Sequence, residues 1–288
     1  MTSVTALLVI ATAALTYRPE IAAAQEAAGA FQPGENPYGD SPIMDNSFLI
    51  EEAYNQENGV IQHISVYTRA TDGGAWAYSF TEEWPVASQR HQLSLSLAAL
   101  QIDGDDGAEY GVGDVALNYR YQLAAGSRLW FSPRLSLLVP SGDSSRGLGA
   151  GGWGLQANLP VSVRVARWLV SHTNAGYTAV RRAEDVTGAS ADTSALALGQ
   201  GFVFLLGSRF NLMLEGVWSD YEVIAAEGAV EGRRSAFVSP GLRFAFDFPS
   251  GLQIVPGIAF PIGVGPSDGE RSVLLYLSLE HPFAALGK

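Results

Sequence analysis

The chain contains no cysteine. That excludes disulfides, thiolate metal sites and a lipid-modified N-terminal Cys. Charge is scarce too, at 16% of 288 residues, and its balance is acidic: 17 Lys plus Arg stand against 29 Asp plus Glu. A formal net charge of −12, with no basic cluster carrying interleaved aromatics, argues against nucleic acid as a partner. Past the N-terminus, no apolar run is long enough for a spanning helix. Yet 47% of the residues are hydrophobic, too many for a disordered chain. The apolar residues are there, but finely interleaved with polar ones.

"GDVALNYRYQL", Gly113 to Leu123, shows how. Val115, Leu117, Tyr119, Tyr121 and Leu123 alternate with Asp114, Ala116, Asn118, Arg120 and Gln122. Strict period-two alternation marks a strand with one face in an apolar medium and one in a polar medium. About a dozen segments of roughly 10 to 13 residues repeat the pattern, the length a tilted membrane strand needs. They start near Val60, Trp76, Arg90, Asp114, Leu129, Trp153, Trp168, Ala195, Phe210, Ala236, Leu252 and Ser272. Pro133, Pro160, Pro240, Pro256 and Pro261 fall inside them and predict bulges, because each removes a ladder donor.

The connections alternate between long ("IDGDDGAEYGV", "PSGDSSRGLGAGG", "VRRAEDVTGASADTS") and short ("VASQ", "AAGS", "VAR", "LGS"). Long external loops with tight periplasmic turns are a habit of outer-membrane barrels. The expected fold is therefore all-β: a transmembrane antiparallel up-and-down β-barrel of about 12 strands. Leu117 and Tyr119 then face lipid. Trp76, Trp84, Trp130, Trp153, Trp168, Trp218 and Tyr221 lie near strand ends, as interface girdles do. Gly147 to Gly154 lacks the neighbouring parallel strand, helix and Lys of a phosphate loop, and reads as a flexible external loop.

The N-terminus suggests export. Ala6 to Leu15 has the length of a signal-peptide apolar region, and Ala22-Ala23-Ala24 before Gln25 suits cleavage. The expected divisions are a signal peptide over 1–24, a periplasmic segment over 25–58 and an outer-membrane barrel over 59–288. Within the segment, 47–58 reads as a short amphipathic helix. Ser47 is a possible N-cap, Leu49/Ala53 and Ile50/Tyr54 are spaced i,i+4, and Asn58-Gly59 is a stop signal. A free tail has no need of such residues, so Phe48, Leu49, Ile50, Glu51, Glu52 and Tyr54 are candidates for a plug or lid.

The inward faces supply candidate lumen residues. Arg120, Arg134 and Arg164 come from three consecutive strands, while Glu215, Asp247 and Glu280 come from strands well around the ring; Asn118 and Arg243 complete the set. Either opposite walls of opposite charge create a transverse field in a water-filled pore, or the groups pair across a narrow lumen and fill it. His63, His91, His172 and His281 lie on four strands without the spacing of a metal motif, so no metal and no cofactor is expected. Ser171, His172 and Asn174 have the residue types of an embedded hydrolase, but Ser171 and His172 point to opposite faces of one strand.

Five stretches carry a resemblance: "FLIEEAYNQENGVIQHI", "FTEEWPVASQRHQLSLSL", "GVGDVALNYRYQL", "PRLSLLVPSGD" and "GGWGLQANLPVSV". Together they resemble a Gram-negative outer-membrane transporter family named for the MetA-pathway of phenol degradation, over about Phe48 to His172. The resemblance implies an outer-membrane barrel with a role in uptake of small compounds, aromatic ones among them. It carries over no catalytic residue. The expected function is a passive, non-enzymatic channel that selects solutes by pore width and inward charge. Its expected partners are the outer-membrane lipid bilayer, a small-molecule solute and the barrel-assembly machinery, whose terminal aromatic signal Phe283 resembles. The alternatives are an embedded lipid hydrolase and a closed structural barrel.

Overall fold

Alternation of apolar and polar residues builds a ring that closes on itself. The computed structural model describes residues 43, 45–104, 107–225 and 228–283; the expected signal peptide lies outside them. Twelve walls follow in chain order. They are β1 (Val60–Ala70), β2 (Trp76–Val86), β3 (Ser88–Gly104), β4 (Gly107–Val112 with Val115–Tyr121), β5 (Leu129–Phe131 with Arg134–Val139) and β6 (Gly154–Asn158 with Val161–Ala166). The circuit continues through β7 (Leu169–Glu184), β8 (Ser190–Leu205), β9 (Phe210–Ile224), β10 (Val230–Phe244), β11 (Gln253–Ala259 with Ile262–Gly263) and β12 (Ser272–Pro282). Each wall pairs antiparallel with the next, and β1 pairs with both β2 and β12. Closure leaves the ring itself without a free edge, which an apolar medium demands because backbone groups there find no water; extensions such as Gly107–Val112 pair on one side only.

Facing follows the sequence alternation. Leu117 is 47% exposed on the outside while the adjacent Asn118 is 7% exposed on the inside. Leu93, Leu97, Leu135, Leu155, Leu198, Leu214 and Leu275 join Leu117 on the outer surface. At the short-turn end Trp168 stacks on Phe204, and Phe210 packs tilted against Phe244 with ring centroids 4.6 Å apart. Trp130 departs from the girdle expectation: it points inward, 1% exposed, with its ring 5.3 Å from that of Tyr54.

Three of the five prolines interrupt pairing as expected, since Pro133, Pro160 and Pro261 fall at breaks within β5, β6 and β11. Pro240 and Pro256 stay within continuous strands, opposite Leu214 and Leu277. The long connections are shorter than the sequence suggests, because β3, β7, β8, β9 and β10 continue as hairpins beyond the apolar belt. Cross-strand pairs such as Arg181–Asp192 (2.9 Å) and Arg234–Asp220 (2.8 Å) hold these extensions. The glycine-rich loop is folded rather than loose. Asp114 accepts from the amides of Gly142 (2.9 Å) and Ala150 (2.8 Å), and Leu148 is buried beneath the loop.

One expected element is absent. Residues 47–58 form no helix; they run through the barrel as an irregular chain with bends at 48–50 and 53. A helix keeps its amides for its own carbonyls. Here wall side chains take the amides instead: Glu215 binds those of Phe48 (3.3 Å) and Leu49 (3.1 Å), Asn174 that of Glu51 (2.8 Å), Ser162 that of Ala53 (2.8 Å) and Gln92 that of Gln56 (2.8 Å). The carbonyls are also claimed, by Asn174 at Glu51 (2.7 Å), Ser132 at Ala53 (2.9 Å) and Arg120 at Glu52 (3.3 Å) and Tyr54. At about 1 kcal/mol net per bond, this set replaces what a helix of three turns offers itself.

Candidate functional site

Sheet geometry brings every second side chain of each wall into the lumen, and the N-terminal segment threads between them. Apolar anchors come first. Phe48 packs against Tyr276 with ring centroids 5.3 Å apart. It lies over Gly241 and Gly257, where a Cβ would come within 2.7 and 2.6 Å of its ring. Ile50 lies over Gly199 and Gly201 in the same way. Four inward glycines on β8, β10 and β11 thus form two shallow seats. The sequence reading missed them, although the i,i+2 glycines of "LGQGF" at inward positions are a visible signal.

Charge supplies the second grip. Arg134 Nε lies 2.8 and 3.0 Å from the two carboxylate oxygens of Glu51, and Arg120 Nη1 lies 3.8 Å from the same group. Arg134 is itself fixed by the wall: it donates to Asn118 Oδ1 (3.0 Å), Gln156 Oε1 (2.7 Å) and Ser136 Oγ. Arg120 lies 3.5 Å from Glu83 and donates to Asn55 Oδ1 (3.0 Å). Arg243 donates to Glu52 (3.2 Å) and to the carbonyls of Asp45 (2.7 Å) and Asn46 (2.9 Å). Removal from water raises the pKa of Glu51, but the ion pair and hydrogen bond with Arg134, aided by Arg120, outweigh this and hold it below the ordinary carboxylate value of 4.5.

Of the expected lumen residues, Arg120, Arg134, Glu215, Arg243 and Glu280 contact the N-terminal segment, Glu280 accepting from Gln56 at 3.2 Å, and Asn118 holds Arg134. Arg164 and Asp247 sit at the short-turn rim instead. Arg164 donates to the carbonyl of Arg167 (3.5 Å), and Asp247 pairs with Arg209 (3.1 Å). The basic wall residues find their carboxylates on Glu83 and on the segment, not on Glu215 or Glu280 across the lumen. Of the segment candidates, Phe48, Ile50, Glu52 and Tyr54 are buried, while Leu49 and Glu51 border a cavity.

His172 faces inward with Nδ1 2.8 Å from Ser162 Oγ, and its Nε2 is 3.7 Å from Glu52. Ser162 is fully buried and its oxygen accepts the Ala53 amide, so the segment itself occupies the space before it. Ser171 lies on the other face and accepts from Gln200 (2.9 Å). The cluster docks the segment. Among the described residues, no group of three or more His, Asp or Glu is arranged to hold a metal ion.

The segment divides the lumen. Toward the long-loop end lies a cavity of about 250 Å³, and toward the short-turn end one of about 300 Å³. The first has two contrasting sides. Thr81, Ser94, Asn118, Arg134, Gln156 and Asn174 are polar; Ile64, Val66, Val217, Phe237, Phe48 and Ile50 are apolar.

No protein-family model matches the chain, and no curated protein does. Solved structures do match in fold. An outer-membrane channel from Pseudomonas putida F1 is 13% identical with a TM-score of 0.58, covering 80% of this chain and 97% of that one. The NanC porin is 10% identical with a TM-score of 0.50, covering 77% of this chain and 98% of that one. At such identities the likeness is one of fold: a closed antiparallel barrel of the outer-membrane type.

Proposed function

We propose that this chain is a passive channel of the bacterial outer membrane, admitting small molecules with an apolar body and a polar or anionic group. The observation that carries the reading is the lumen itself. Two cavities, the outer one part polar and part apolar, lie on either side of a segment of the same chain, held by hydrogen bonds, ion pairs and two apolar seats rather than by a strand of the sheet. The barrel wall is complete without that segment, so its withdrawal joins the cavities into a passage.

The short-turn end, where β1 begins and β12 ends, is the periplasmic side on this reading. Residues 45–58 act as the plug, and residues 1–24 are an exported leader. The MetA-pathway family resemblance adds aromatic compounds to the candidate solutes, and Phe283 fits a signal for the assembly machinery. The fold likeness to a channel and a porin agrees with transport. Liposome-swelling assays with uncharged and anionic monoaromatic solutes test the proposal. Solute-dependent swelling above that of protein-free vesicles supports it; swelling equal to theirs for every solute favours a closed structural barrel.

A further inference from the structure

The guanidinium of Arg134 is held by wall side chains as well as by Glu51. Asn118, Ser136 and Gln156 bind its Nη atoms from the wall, leaving Nε and one edge turned toward Glu51. Asn158 and Asn174, hydrogen-bonded to each other at 3.1 Å, flank the same spot. Such a two-point, wall-fixed arrangement is how proteins recognise carboxylates. Glu51 keeps 26% of its side chain exposed, and both it and Arg134 line the outer cavity. Opposite stand Phe48, Ile50, Val66 and Phe237. Its volume of about 250 Å³ exceeds the roughly 150 Å³ that suffices for benzene.

We propose that Arg134 is the anchor of a binding site for small carboxylates with an apolar body, and that Glu51 occupies it as an internal substitute ligand. The inference rests on the channel reading for its purpose, but not for its chemistry. A solute carboxylate and Glu51 compete for one guanidinium, so the solute binds only the state in which Glu51 has let go. A ligand shifts an equilibrium by its difference in affinity for the two states; here that difference is all of its binding to Arg134. The solute therefore loosens the segment that blocks its path. Competition also sets the affinity. Glu51 is tethered to β1 by a short stretch of chain, and such a tether gives an effective concentration in the millimolar range. The intact protein thus binds a solute carboxylate weakly, and removal of the competing charge strengthens binding.

Benzoate is the probe, and titration calorimetry of the purified full-length protein is the measurement. Glu51→Gln is expected to bind benzoate at least tenfold more tightly than wild type, and Glu51→Asp to fall between them. Adding Arg134→Gln to Glu51→Gln is expected to abolish binding. Because the chain has no native cysteine, an Ala53→Cys variant reports on the segment: Ala53 is fully buried, and benzoate is expected to speed its maleimide labelling. Far-UV circular dichroism establishes that each variant remains a barrel. Equal benzoate affinity in folded wild type, Glu51→Gln and Glu51→Asp overturns the proposal, as does binding indifferent to Arg134. A protein that binds benzoate as expected but swells no liposomes keeps the site and loses the channel. One that swells them while its binding ignores both residues does the reverse.

Discussion

Ile50 occupies the space that a side chain at Gly201 would fill: a Cβ there would lie 2.7 Å from Ile50 Cδ1. The contact joins a segment outside the sheet to the inner wall of β8, 151 residues away by number. The two residues specify each other, since any side chain at position 201 must push the segment off its seat.

That relationship gives the first prediction. Gly201→Leu places a branched side chain where Ile50 lies, and overpacking of this kind costs about 1–3 kcal/mol. The cost falls on docking, because β8 remains paired to β7 and β9 along its length. Maleimide labelling of Ala53→Cys should rise severalfold in the Gly201→Leu background, with the β-sheet circular dichroism unchanged. Gly232→Leu, whose position has nothing within 4 Å of a Cβ, should leave labelling as it was.

Orientation gives the second. Leu117 and Ala116 are neighbours on β4 with opposite facing, Leu117 toward the apolar medium and Ala116 toward the outer cavity. Leu117→Arg should destabilise the folded barrel by about 2–4 kcal/mol if it lies near the bilayer midplane. Ala116→Lys, with its charge in a wet cavity, should cost far less. Urea unfolding in lipid vesicles measures both; the opposite order would mean that inside and outside are exchanged.

Much of this architecture is legible in the sequence, because period-two alternation is local. Val60, Trp76, Leu129, Phe210 and Ser272 begin strands where the pattern places them. The path of residues 47–58 is not local. Leu49/Ala53 and Ile50/Tyr54 have helical spacing, but Asn174, Ser162 and Glu215, which take the amides of Glu51, Ala53, Phe48 and Leu49, lie more than a hundred residues downstream. Nothing near Ser47 announces them. Arg134 was visible as an inward cation, whereas its partner Glu51 emerges only when the segment is threaded through the ring. Trp130 shows a different lesson: its place near a strand end suggests a girdle, whereas its alternation with the inward Ser132 and Arg134 turns it to Tyr54.

Acidity gives the third. Glu51 has a folded-state pKa below 4.5. A depressed carboxylate contributes stability that is present above its unfolded value and is lost as pH falls through its folded value. Maleimide labelling of Ala53→Cys should therefore be faster in the Glu51→Gln background than with Glu51 in place, and this excess should persist from pH 7 to pH 5. It should disappear only below the ordinary carboxylate range. A difference that vanished between pH 6 and pH 5 would mean that Arg134 does not hold Glu51 in its charged form.

The most direct test of the channel account is single-channel conductance in planar bilayers, comparing the full-length protein with one lacking residues 43–58. The segment separates cavities of about 250 and 300 Å³ and adds Asp45, Glu51 and Glu52 to a lumen whose wall carries Arg120, Arg134 and Arg243 alongside Glu83, Glu215 and Glu280. Its deletion should raise unitary conductance severalfold and shift the reversal potential toward anion selectivity, with the shift shrinking at high salt as exposed charge is screened. A folded deletion protein with the same conductance and selectivity as the intact chain would contradict the account.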